Sequence, residues 1–344
     1  MFEKGASKTA FRLVRIGVRL AAMVVAVVLL GAVVYEHIAA WRDGRVLKQT
    51  GRSVDIGGRT LNIYCTGEGT PTVMFVSGRT APGYVWTPIQ RGVSVFTRSC
   101  WYDRADIGWS DSGPDPAWGD AAARDLHHLV QNAGLKPPLV LVGHSFGGHI
   151  IRLYHHAYPG EASGMVFVDA AHEDAGTIQG MPHRDRPAIP RWMIRGLSVV
   201  LGRLGMMRFL AASDPGPPPK YWTAVEWDML ARLRRQRNIL LADAKVGPGQ
   251  ASDDLVRSTG GLEDMPLIVL TQSSQSGPSS ASPGVLRGWV DLQRQFARRS
   301  RRGRQVLVPE SGHGIPEEAP GAVIAAVREI VTTVRDGVSP ISPE

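Results

Sequence analysis

The sequence predicts an α/β domain: a mostly parallel sheet covered by helices on both faces, interrupted by a helical insertion and preceded by a membrane-spanning helix. Three observations carry this. Short apolar runs alternate with segments of helical periodicity. About ninety residues between 174 and 264 hold no obvious buried strand and are rich in Arg, Trp, Met and Pro. Residues 16–35 carry a single charge, Arg19.

Twenty helical residues span about 30 Å, the thickness of a hydrocarbon core. Lys4, Lys8, Arg12, Arg15 and Arg19, against Glu3, stand at or before the start of the apolar run. The positive-inside bias then puts residues 1–15 in the cytoplasm, residues 16–41 across the membrane and the remainder outside. The alternative is a cleaved signal peptide and a secreted domain, since small residues occur at Ala39 and Ala40. The apolar core is longer than a typical signal core, which favours an uncleaved anchor.

Residues 42–50 read as a short helical linker. The first part of the core domain follows at 51–174. R-T-L-N-I-Y-C, T-V-M-F-V-S-G, S-V-F-T-R-S-C-W-Y-D, P-L-V-L-V and G-M-V-F-V-D read as strands, several of them apolar enough to be buried on both faces. Residues 121–133 read as a helix that stops at Gly134, and 149–157 as another. The insertion, a helical cap, occupies 175–264. Residues 265–337 complete the core with the strands P-L-I-V-L-T and R-Q-V-L-V-P and a helix over 322–334. The tail 338–344 reads as disordered.

Net charge is +8, with the excess at the N-terminus, between about 184 and 237, and in R-R-S-R-R-G-R ending at Arg304. Few aromatics interleave with these arginines and no nucleic-acid motif accompanies them. They read as solvated faces, with proximity to anionic lipid headgroups as a weaker reading. No metal-site or dinucleotide fingerprint is present, so neither metal nor cofactor is expected. The oligomeric state is not encoded in any pattern we find.

The chemistry centres on L-V-L-V-G-H-S-F-G-G. Gly143-His144-Ser145-Phe146-Gly147 fits G-x-S-x-G between a strand and a helix. A serine on so tight a turn needs small neighbours, and the turn raises its hydroxyl above the sheet edge. The Phe146 amide then opens a helix and can stabilise an oxyanion. A serine nucleophile needs a base. His313, in E-S-G-H-G-I-P, follows the last strand and belongs to the same carboxyl edge as Ser145. His127, His128, His155 and His156 lie on helices and read as packed or solvated, while His144 and His149 read as orienting or packing residues.

L-V-L-V-G-H-S-F-G-G, W-Y-D-R-A-D-I-G-W-S-D, V-F-V-D-A-A-H-E-D and S-G-H-G-I-P-E-E together resemble the α/β-hydrolase fold superfamily, in its esterase, lipase, haloalkane dehalogenase and proline iminopeptidase-like branch. The likeness covers about residues 51–335. It implies an eight-stranded sheet, a cap between the sixth and seventh strands, and a Ser-acid-His triad in that chain order. The acid commonly follows the seventh strand, but here no Asp or Glu occurs from 266 to 290. In some members it follows the sixth strand, which implies Asp169, with Glu173 as the alternative acid and Asp103 as a more distant one. The resemblance also places the second oxyanion donor at Arg79, in Ser77-Gly78-Arg79-Thr80. Asp103-Arg104 and Gly108-Trp109-Ser110 match a supporting turn, and Asp106 stands where relatives often have glycine. The second and fourth strands are neighbours in this fold, which makes Cys65 and Cys100 a disulfide candidate for an exported domain.

These features imply a serine hydrolase cleaving small-molecule or lipid carboxylic esters, attached to the membrane by its N-terminal helix. An amide hydrolase of the iminopeptidase type and a catalytically silent binding protein are the alternatives. Dehalogenation is disfavoured, because it needs a carboxylate nucleophile where Ser145 stands. Trp192, Met193, Leu201, Met206, Met207, Phe209, Leu210, Trp222 and Trp227 are candidates either for a substrate pocket or for the cap's own core.

Overall fold

Parallel strands buried on both faces need apolar residues at every position, and the central strands have them. The computed structural model describes residues 3–114, 119–181, 189–210, 216–246, 250–273 and 283–337. The strands are β1 (Arg52–Asp55), β2 (Thr60–Thr66), β3 (Val73–Val76), β4 (Ser99–Tyr102), β5 (Leu139–His144), β6 (Ala162–Val168), β7 (Leu267–Gln272) and β8 (Gly303–Val308). The helices are α1 (Glu3–Val46), α2 (Thr87–Val93), α3 (Gly119–Asn132), α4 (Phe146–Ala157), α5 (Arg191–Arg203), α6 (Met206–Leu210), α7 (Ala224–Arg234), α8 (Ile239–Val246), α9 (Gln250–Arg257), α10 (Pro283–Ala297), α11 (Ile315–Glu318) and α12 (Pro320–Asp336).

The eight strands form one sheet in the order β1-β2-β4-β3-β5-β6-β7-β8. β2 is antiparallel to both its neighbours, and the pairs from β4 through β8 are parallel. Alternation along each strand splits the core into two layers. Met74, Leu141, Met165 and Phe167 meet Leu126, Ile150, Tyr154 and Phe296 of α3, α4 and α10 on one face. Phe75, Val142, Val166 and Val168 meet Trp86 just before α2, Ile89 of α2, and Val327 and Ile330 of α12 on the other. This is the α/β-hydrolase fold, preceded by a long apolar helix.

Among the described residues, five α-helices, α5 to α9, stand between β6 and β7. Of the residues expected to line a pocket or to form the cap's own core, some pack inside and others do neither, facing outward. Trp222 and Trp227 form an edge-to-face pair, 5.5 Å between centroids, in a core shared with Leu230 and Leu233. Trp192, Met193, Phe209 and Leu210 face outward.

The stretch expected as a short helical linker continues the long N-terminal helix. α1 runs unbroken to Val46, and Asp43 is tied by ion pairs to Arg208 and Arg232. Leu47 then packs into the core. Residues 94–98, read as strand, instead form the turn out of α2, whose Gln90 carbonyl accepts from the Ser94 N–H at 2.8 Å. The tail 338–344 lies outside the described residues, as do 182–188, 211–215 and 247–249 of the insertion and 274–282 of the loop after β7.

Candidate active site

Ser145 follows β5 and caps α4 with φ 51° and ψ −123°, a conformation that costs a non-glycine residue about 1–3 kcal/mol. The surroundings enforce it. A methyl on Gly143 would lie 2.7 Å from the Gly147 carbonyl oxygen, and one on Gly147 would collide with that of Val76. The helix can therefore start hard against β3 only with glycine at both places. The Ser145 carbonyl accepts from the Gly148 and Ala171 N–H groups at 3.0 and 2.9 Å, which locks the bend.

The ends of β6 and β8 complete the same edge. Asp169 follows β6, is fully buried and holds a left-handed φ of 41°. Its Oδ2 accepts from His313 Nδ1 at 2.6 Å. Its Oδ1 accepts from the Trp289 indole N–H at 2.8 Å and the Gln272 N–H at 3.1 Å. With its Nδ1 proton committed to Asp169, His313 keeps Nε2 free to accept a proton. The ring remains partly open to solvent.

The His313 loop is fixed from two sides. Glu318 accepts from the Ser311 hydroxyl at 2.9 Å and the Gly312 N–H at 2.7 Å. His144 Nε2 stands 2.9 Å from the His313 carbonyl oxygen, and the two rings lie 4.9 Å apart. A carbonyl only accepts, so His144 carries its proton on Nε2. Burial, with the neighbouring His313 charge adding to it, pushes the His144 pKa down to about 3, so the ring is neutral. His144 sits next to Ser145 in sequence and thus links the serine bend to the histidine loop.

Arg79 follows β3. A methyl on Gly78 would lie 3.2 Å from Ser145 Cβ, so this loop abuts the serine. Arg104 is buried and donates to the Gly78 carbonyl at 2.6 Å and to that of Arg79. In a trans peptide the N–H points opposite the preceding carbonyl, so the Arg79 N–H is turned away from Arg104. Phe146 opens α4, and its N–H has no acceptor within the helix. Its ring lies 5.4 Å from the Arg104 guanidinium, so one arginine neighbours both residues that carry the candidate oxyanion donors. The Arg79 side chain is engaged by α8, bonding to the Asp243 carboxylate and, at 3.0 Å, to the Asp243 carbonyl.

The other acids lie elsewhere. Glu173 bonds to Arg152 at 2.8 Å and Arg299 at 2.5 Å. Burial would raise its pKa, but the attraction of Arg152 outweighs that and holds it down at about 2. Asp103 accepts from Asn62, Gly83 and Trp109 under the β4 turn, and burial pushes it up to about 6 despite those donors. Asp106 adopts φ 68°, the left-handed backbone that glycine takes easily, and its carboxylate meets Lys245 of α8 at 2.8 Å. Cys65 and Cys100 face each other across β2 and β4 and are joined by a disulfide. Among the described residues no group of three or more His, Cys, Asp or Glu could hold a metal ion.

Two supporting residues escaped the sequence reading, Trp289 and Glu318, whereas Arg104 was read in a supporting turn and His144 as an orienting or packing residue. Only Trp289 had a signal, since residues 285, 289, 292 and 296 are apolar at helical spacing.

Known proteins share this architecture. The model of the alpha/beta hydrolase family matches residues 73–327. Uncharacterized protein YbdG of Bacillus subtilis (strain 168) is 26% identical over 212 residues, 61% of this chain. The match spans 63% of that relative's length. A thermophilic esterase from Thermogutta terrifontis superposes with a TM-score of 0.58 at 21% identity, covering 83% of this chain and 99% of that one. Epoxide hydrolase CorEH does so with a TM-score of 0.60 at 18% identity, covering 83% and 99%. At such identities the structural likeness is one of fold, and the family match, which takes in well over half the sequence, decides membership: the chain belongs to the alpha/beta hydrolase family.

Proposed function

We propose that the protein is a membrane-anchored serine hydrolase that cleaves carboxylic esters, lipid esters included. The observation that carries this reading is the Asp169 carboxylate on His313 Nδ1 at the sheet edge where Ser145 is held in a strained bend. His313 Nε2 takes the Ser145 proton as Oγ attacks the ester carbonyl. The N–H groups of Phe146 and Arg79 receive the oxyanion. Collapse expels the alcohol, protonated by His313, and leaves an acyl group on Ser145. Water, deprotonated by His313, then attacks the acyl carbon, and Ser145 Oγ leaves with the proton from His313 as the acid is released. Asp169 fixes the tautomer and stabilises the imidazolium throughout.

In the same proposal α1 spans the membrane with its N-terminus in the cytoplasm and the hydrolase domain outside. Support comes from its length, its exposed apolar surface and the Cys65–Cys100 disulfide, which suits an oxidising compartment. The test is a panel of short- and long-chain p-nitrophenyl esters beside proline amides, with the wild type and Ser145→Ala. Ester turnover that is lost in Ser145→Ala is the expected result. Turnover confined to the amides moves the protein to the peptidase reading, and none on folded protein moves it to a binding role.

A further inference from the structure

α5 packs on α8 with one side and turns an apolar side outward. Trp192, Met193, Leu197 and Val200 recur at helical spacing on that side, with Trp192 71% and Leu197 55% exposed. Phe209 and Leu210 extend the surface at the end of α6, 77% and 62% exposed. A surface helix of a water-soluble domain carries its apolar stripe inward, so this one is reversed. A large exposed apolar patch marks an interaction surface.

α1 indicates what covers it. One stripe of its C-terminal half, with Leu47 just beyond its end, is partly or fully buried: Ala32, Glu36, Ala39, Asp43 and Leu47 follow at steps of three and four. α1 packs against α5. Arg208 of α6 bonds to Glu36 and to Asp43, both at 2.6 Å, with the Glu36 side chain buried. α6 therefore stands level with Glu36, the first charged residue after the apolar stretch 16–35. Ala32 lies four residues before Glu36, about 6 Å further along the helix axis and inside that stretch. Tyr35, next to Glu36, and Trp41, about 8 Å beyond Glu36 along the axis, are exposed where an aromatic belt meets the headgroups. Exposed Arg203, in the last turn of α5, offers a cation to lipid phosphates.

We infer that the outward face of α5 and α6 is a second membrane contact, seated at the headgroup–acyl boundary of the leaflet from which α1 emerges. The inference rests on α1 being a membrane span. Lipid is the occupant because the ion pairs to α1 hold this face at the end of that span. α8, on which α5 packs, also binds Arg79 through Asp243, so the membrane-facing helix is one packing layer from the candidate oxyanion loop. A substrate reaching the site past this face would come from the bilayer.

The full chain in nanodiscs of phosphatidylcholine and phosphatidylglycerol, spin-labelled at single introduced cysteines, tests this. The described chain has no free thiol to compete. Leu197→Cys and Phe209→Cys sample the patch. Val25→Cys samples the span, and Val95→Cys samples the aqueous side (Val95 is 80% exposed). We expect labels at 197 and 209 to collide with oxygen more than with a water-soluble nickel chelate, shifting the depth parameter to values between those of Val25 and Val95. Labels at 197 and 209 that match Val95, with Val25 in the bilayer, would overturn the inference and leave the anchor standing. An aqueous label at Val25 would overturn the anchor itself.

Discussion

Asp169→Asn tests the acid through a detail of its surroundings. Oδ1 takes two N–H donors, from Trp289 and Gln272, while Oδ2 faces His313 Nδ1. An asparagine in this place has one oxygen. Aiming its NH2 group at the two donors would leave buried donors unpaired, at about 1–3 kcal/mol each. The oxygen therefore stays with Trp289 and Gln272, and the NH2 group faces His313. It donates to Nδ1, which drives the imidazole proton to Nε2, the nitrogen that must receive the serine proton. A base locked in the wrong tautomer costs about 10⁴-fold in kcat, or about 5 kcal/mol of barrier. The volume is unchanged and the donors stay paired, so folding survives. Steady-state hydrolysis of a p-nitrophenyl ester, with thermal unfolding beside it, measures both. A folded variant that keeps more than about a tenth of wild-type kcat would refute the reasoning, since a wrong tautomer cannot cost so little.

Three other perturbations have definite expected outcomes. In the native state the His144 pKa is near 3 against about 6.5 when unfolded. Between these values the unfolded chain binds more protons, so stability is lost as pH falls, at about 1.4 kcal/mol per unit well below pH 6.5. Asp103, pushed up to about 6, has the opposite slope between about 4 and 6, and Glu173 steepens the loss only below about 4.5. His144→Gln keeps a donor for the His313 carbonyl and removes the titration. The difference between its denaturant-derived stability and that of wild type should therefore narrow toward low pH, and a constant difference would contradict the assignment. Arg104→Met frees the carbonyls of Gly78 and Arg79; kcat should fall by about 10²-fold with KM little changed, the loss of roughly one oxyanion donor. Unchanged kcat would show that the loop holds its shape without the brace. Replacing Cys65 and Cys100 with serine opens a link of sequence separation 35, which should cost about 3–4 kcal/mol in denaturant unfolding of the detergent-solubilised chain. A loss below about 1 kcal/mol would mean the unfolded state is already compact.

The central strands were legible because burial on both faces demands unbroken apolar runs. β1 was not, since R-S-V-D buries only Val54 and shows no alternation. α2 is a single short helix with Pro88 in its first turn, too brief for a periodic signal. The serine bend was readable from its glycines, because their requirement is local. Support for Asp169 was not, because it comes from Trp289 on α10, 120 residues away in sequence. The brace from Arg104 to Gly78 likewise joins two loops whose approach is set by the β3–β4 pairing. The outward apolar face of α5 was visible only as composition, since periodicity locates a stripe without saying which side of the helix the fold covers.

The most direct measurement is fluorophosphonate labelling of the full chain, read by intact mass and by mapping of the modified peptide. The account requires one adduct, on Ser145, absent from Ser145→Ala and strongly slowed in His313→Ala. A folded wild type that takes no label, or one labelled equally well without the Ser145 hydroxyl, would contradict it.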